Sequence, residues 1–109
     1  MALVIVDAQN VRRSEWPNVP PAELVAAVRA WAEAHGHEPL IVFDGAAPEG
    51  AVGVRGETAD DWIARHAAGL AGPYWLVTSD RELRGRAGGR AERIVGGGSF
   101  VRELRPYRR

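Results

Sequence analysis

A chain of 109 residues has room for one domain, 1–109, built on one hydrophobic core. It has no Cys, no Lys and no apolar run near the ~18 residues of a membrane span, which excludes disulfide and thiolate chemistry and a spanning helix. Its 14 basic and 14 acidic residues cancel, yet residues 1–80 hold 5 Arg against 11 Asp and Glu while residues 81–109 hold 9 Arg against 3 Glu. That asymmetry suggests a cation site beside a phosphate-binding surface, or simply a solvated basic face.

The chain opens on Leu3-Val4-Ile5-Val6, an apolar run with β-branched residues that ends in Asp7 and predicts a strand over 2–7 buried on both faces. The start lacks the basic segment and cleavage site of a signal peptide, so a cytoplasmic location is expected. Residues 8–20, with Arg12, Arg13, Trp16, Pro17 and Pro20, read as a loop. Pro21 suits the first turn of a helix that continues to 34 with Leu24, Val28 and Trp31 on one face, and Gly36 suits its stop.

A second strand is expected at 39–43, ending at Asp44. Residues 45–56 form a Gly- and Pro-rich loop with a short edge strand near 51–55. Thr58 and Asp61 resemble a capping box for a helix running to about 70, with Asp60 in its first turn, where a carboxylate suits the helix dipole. A strand at 74–78 runs into Ser79-Asp80-Arg81-Glu82, which reads as a capping box led by Ser79. The helix behind it ends near 88–89, a short strand follows at 92–95, and residues 96–98 read as a flexible glycine joint. Ser99 then caps a last helix through 105, and Pro106 ends it.

Strands alternating with helices predict an α/β fold: a parallel sheet of four to five strands with helices on both faces. All carboxyl ends then share one rim, where such sheets bind ligands. Asp7, Asp44 and Asp80 each follow a strand, and Asp60 starts a helix that begins at the same rim. Taken singly, each has an equally good local explanation as a turn or helix-start residue, and Asp61 ranks below Asp60 because capping already accounts for it. Four converging carboxylates need protons or a divalent cation to offset their repulsion. Hard oxygen donors select Mg²⁺ or Mn²⁺, which can activate water against a phosphodiester.

Other aspartate chemistries on such sheets are excluded. A phospho-receiver needs a Lys, a haloacid-dehalogenase-type phosphatase needs Asp-x-Asp where Asp7-Ala8-Gln9 stands, and Gly-Lys-Ser/Thr and a first-strand GxGxxG are absent.

Val4-Ile5-Val6-Asp7-Ala8-Gln9-Asn10, Val42-Phe43-Asp44, Glu57-Thr58-Ala59-Asp60 and Val77-Thr78-Ser79-Asp80 resemble, in order, the motifs of the NYN domain. The YacP-like branch of the PIN-like nuclease superfamily is the nearest match, over about residues 3–105. The resemblance implies a PIN-like three-layer α/β/α sandwich and ribonuclease activity with Mg²⁺ or Mn²⁺. Asp7, Asp44, Asp60 and Asp80 would bind metal and act in catalysis, supported by Asn10 and Ser79. Ala8-Gln9-Asn10 stands where the family usually has Gly-Tyr-Asn, and the segment between Asp44 and Glu57 is short.

Single-stranded RNA is the expected partner, with no membrane contact and a homodimer left open. Arg81, Arg84 and Arg86 in or just after the turn behind Asp80, the first two three apart on one helix face, and Arg12 and Arg13 behind the first motif are candidates for its phosphates. Trp16 either stacks a base or caps the core; Trp31, Trp62 and Trp75 are assigned to packing, and the three histidines to no chemistry. Two alternatives stand beside the nuclease: a non-catalytic PIN-like module that binds RNA or a partner, and a toxin-like nuclease held by a partner.

Overall fold

The computed structural model describes residues 1–108 and joins the apolar runs into one sheet. In chain order the elements are β1 (Leu3–Asp7), α1 (Ala8–Glu15), α2 (Pro21–His35), β2 (Glu38–Asp44), β3 (Val52–Val54), α3 (Ala59–Ala68), β4 (Tyr74–Val77), α4 (Arg81–Ala87), β5 (Arg93–Val95) and α5 (Gly97–Leu104), followed by a 3₁₀ turn, Arg105–Tyr107. The five strands are all parallel in the order β3-β2-β1-β4-β5. Among the described residues no helix is long and apolar enough to cross a membrane.

Two cores sandwich the sheet. Val4 and Val6 of β1 and Ile41 and Phe43 of β2 pack with α1, α2 and α5; Ile5, Val42 and Leu76 pack on the other face with α3 and α4. Each fully buried Val, Leu, Ile or Phe side chain contributes about 1.5–3 kcal/mol. This is the expected three-layer α/β/α sandwich, and α2 stands where Pro21 and Gly36 predict it. Gly36 takes the left-handed conformation (φ 71°) that closes the helix.

Three local expectations are corrected. Residues 8–15, read as loop, form α1. The segment is strongly polar, and only Ala8 and Val11 are buried, so its helicity depends on packing against α5. Ser79 does not cap α4: Asp80 holds the N-cap position, and its Oδ1 accepts the Leu83 N–H at 3.0 Å. The glycines at 96–98 are not a joint. Gly96 is the N-cap of α5, Gly97 and Gly98 begin the helix, and Ser99 lies inside it.

Gly97 is required by close approach. A Cβ there would meet Ser14 Oγ and lie 2.7 Å from Asn10 Oδ1, both on α1. Trp16 is half-buried against the α1/α2/α5 core, with the Arg108 guanidinium 4.1 Å from its ring centroid. Trp31 is fully buried, while Trp62 and Trp75 pack against the edges of the two cores.

Candidate functional site

Side-chain alternation along the strands builds the site. In β1, Ile5 faces α3 and α4, so Asp7, two residues on, takes the same face at the carboxyl rim. In β2, Val42 faces that way and Asp44 follows two residues later, beyond the Asp7–Val42 register pair. In β4, Leu76 shares the face, and Thr78 extends the series. β1 and β4 are neighbours, and the strand order reverses between them, the place where open α/β sheets bind ligands.

Thr78 holds the two strand ends together. It is fully buried, its hydroxyl donates to Asp7 Oδ2 at 3.0 Å, and its Oγ1 accepts the Asp80 N–H at 3.1 Å. A second set of bonds braces the turn behind β4. Asn10 Oδ1 accepts the Ser79 N–H at 2.8 Å, and Ser79 Oγ accepts the Gly97 N–H at 2.8 Å. Asn10 and Ser79 therefore tie α1, the β4 turn and α5 into one frame, and neither lines the cleft.

The cleft has a volume of about 420 Å³. Asp7, Asp44, Asp60 and Asp61 line it together with Glu82, and the facing cations are Arg13 and Arg86. Gln9, Thr58 and Ala59 complete its wall. Asp60 stands in the first turn of α3, which Thr58 caps by accepting the Asp61 N–H at 3.1 Å. Asp80 is half-buried behind this wall, with its carboxylate committed to the α4 cap.

Five acidic side chains against two arginines leave the cleft negative. Burial pushes the Asp7 carboxyl above its ordinary value, Asp60 pushes it further, and the Thr78 hydrogen bond and Arg13 oppose the shift only in part. Asp60 is also raised, by partial burial first and then by Asp80, with Glu82 and Asp44 adding and Arg86 opposing. Asp60 thus feels Asp80, Glu82 and Asp44, and itself raises Asp7, which puts it among most of the acidic positions of the site. Asp61 is instead held low by its hydrogen bond to Arg86. Among the described residues, no three Asp, Glu, His or Cys side chains are arranged to hold a metal ion.

Of the five arginines expected at phosphates, Arg13 and Arg86 line the cleft. Arg12 is half-buried and its Nη1 donates to Gln9 Oε1 at 3.3 Å. Arg84 is turned inward, with Nε donating to the Thr78 carbonyl at 2.9 Å. Arg81 is exposed and outside the cleft wall. The sequence assigns no site role to Glu82, which also lines the cleft, or to Thr78. Thr78 carries a readable signal, because it falls on the alternation that includes Leu76; Glu82 and Arg86 depend on how α4 lies against α3.

No protein-family model matches the chain, nor does any curated protein. Among solved structures it is similar to Rae1 (YacP) from Bacillus subtilis. A single-site mutant of that protein superposes with a TM-score of 0.78 at 19% identity, covering 98% of this chain and 77% of the other. A second structure of Rae1 gives 0.73 at 20% identity, covering 98% and 75%. The chain has a YacP-like fold.

Proposed function

We propose that this protein is a divalent-metal-dependent ribonuclease that hydrolyses phosphodiester bonds of single-stranded RNA. The observation that carries the reading is the pair of Asp7 and Asp60, two carboxyls raised by burial and by neighbouring acidic groups, facing one cleft at the sheet's switch point. The family resemblance of the four Asp motifs and the YacP-like fold support the same chemistry.

The donor set fits a hard cation. Every acidic group around the cleft offers carboxylate oxygen, and two arginines do not balance five negative charges. Asp7, Asp44 and Asp60 line the cleft and are the residues that would hold Mg²⁺ or Mn²⁺; Asp80, whose Oδ1 caps α4, would add its charge from beside Asp60. When bound, such an ion supplies positive charge that makes water more acidic and offsets charge developing at phosphorus. Thr78 orients the Asp7 carboxylate, and Asp60, raised by burial and by the neighbouring acidic groups, takes up a proton more readily than an ordinary carboxylate. Arg13 offers a donor fork to a flanking phosphate.

The test is cleavage of an end-labelled single-stranded RNA with Mn²⁺, Mg²⁺ or EDTA, beside Asp60→Asn checked for folding by circular dichroism. Metal-dependent cleavage lost in the folded variant is expected; full activity in that variant refutes the assignment. One observation favours a second reading: no three carboxylates among the described residues are arranged around a common point. A non-catalytic RNA-binding module would then bind RNA in a salt-dependent manner and cleave with neither metal.

A further inference from the structure

An acidic cleft that admits a polyanion needs cations at its wall, and this one has two. Arg13 on α1 forms no ion pair with a described residue. Arg86 on α4 is held across the cleft mouth, its Nη2 2.8 Å from Asp61 Oδ1 on α3. The other arginines of α4 cannot take its place: Arg84 is bonded inward to the Thr78 carbonyl, and Arg81 lies off the wall. Asp61 differs from Asp60 in the same respect. Its side chain is 51% exposed and paired, whereas Asp60 is half-buried among the other acidic groups.

The contact joining Arg86 to Asp61 is a single close approach between side chains 39% and 51% exposed. Exposed pairs of this kind shift an equilibrium by about fivefold at most. A phosphodiester offers the same guanidinium two oxygens in a planar fork, a geometry that suits Arg better than one carboxylate oxygen does. We propose that Arg86 is the phosphate-positioning residue of the α4 wall, and that Asp61 is its resting partner, given up when the substrate backbone enters. The assignment rests on the ribonuclease reading and gives Asp60 and Asp61 separate roles: Asp60 in the acidic centre, Asp61 in parking the arginine.

The experiment measures binding of a fluorescein-labelled single-stranded RNA in EDTA across a salt series, so that cleavage is not needed as a readout. Arg86→Gln should weaken binding about tenfold and reduce the slope of log affinity against log salt by about one phosphate contact. Arg86→Lys should restore the slope and only part of the affinity, because it keeps the charge and loses the fork. Asp61→Asn should tighten binding by about two- to fivefold with Arg86 present. In the Arg86→Gln background the same change should give a smaller gain, that of removing one negative charge alone.

An unchanged slope in Arg86→Gln, or an equal gain from Asp61→Asn in both backgrounds, overturns the assignment and leaves the ribonuclease reading standing. RNA binding with the expected slopes but no cleavage in any metal supports Arg86 and removes the nuclease. No RNA binding by the wild-type protein overturns the Arg86 assignment, and the nuclease reading then falls only if cleavage with Mn²⁺ and Mg²⁺ fails as well.

Discussion

Replacing Gly97 by Ala should destabilise the protein even though Ala is the better helix former. The substitution puts a methyl group against Ser14 Oγ and 2.7 Å from Asn10 Oδ1. Those atoms are already engaged: Ser14 Oγ donates to the Asn10 carbonyl at 2.8 Å, and Asn10 Oδ1 holds the Ser79 N–H at 2.8 Å. Relief requires rotating both side chains or moving α5 away from α1. Losing two hydrogen bonds costs about 2 kcal/mol, and shifting a packed helix adds about 1 kcal/mol. The helix-propensity gain is at most about 1 kcal/mol.

The net loss is about 1–2 kcal/mol, which lowers the melting temperature of a domain this size by roughly 5–10 °C. Thermal melts followed by circular dichroism measure it directly. Ser14→Ala removes one of the crowded atoms, so the double variant should lose less than the two single changes summed. A melting temperature at or above wild type in Gly97→Ala, or strict additivity with Ser14→Ala, would refute the close-approach argument.

Asp7→Asn should raise stability at neutral pH in metal-free buffer while abolishing cleavage. The folded carboxyl is raised above its ordinary value, so the stability that its protonation contributes is full below the unfolded pKa and is lost as pH rises through the folded one. Melting temperatures of variant and wild type should therefore converge in acid and separate toward neutral pH, and a wild type that melts higher at neutral pH contradicts the burial argument. Thr78→Val keeps the shape of a fully buried side chain but removes the donor to Asp7 Oδ2 and the acceptor of the Asp80 N–H. A loss of about 1–3 kcal/mol in urea unfolding is expected, together with weaker cleavage; an unchanged midpoint would show that the two bonds do not brace the rim.

Much of this molecule is readable from residue order. The strand runs ending at Asp7 and Asp44, and the one leading into Ser79-Asp80, place carboxylates at one rim because parallel strands alternating with helices present the same end. Helix α2 is equally plain, with Pro21 at its start and Gly36 at its stop. The misread segments are those whose local preference is overruled by packing. Residues 8–15 carry little apolar periodicity, and their helix is completed by α5. Gly96-Gly97-Gly98 looks flexible, yet it supplies a helix start whose missing side chains let α1 approach.

The sequence by itself determined that the acidic groups share the carboxyl rim, since strand direction and strand-end position need only the order of the residues. It could not say which face of the sheet they take, because runs such as Leu3-Val4-Ile5-Val6 are apolar on both sides and carry no alternation to read. Only the tertiary structure decided that Asp7, Asp44 and Thr78 look toward α3 and α4, and that α4 brings Glu82 and Arg86 to the same cleft. Strand pairing sets the rim through backbone hydrogen bonds that every residue can make. The cleft is set by how two helices pack on that face, which depends on contacts between residues far apart in the chain.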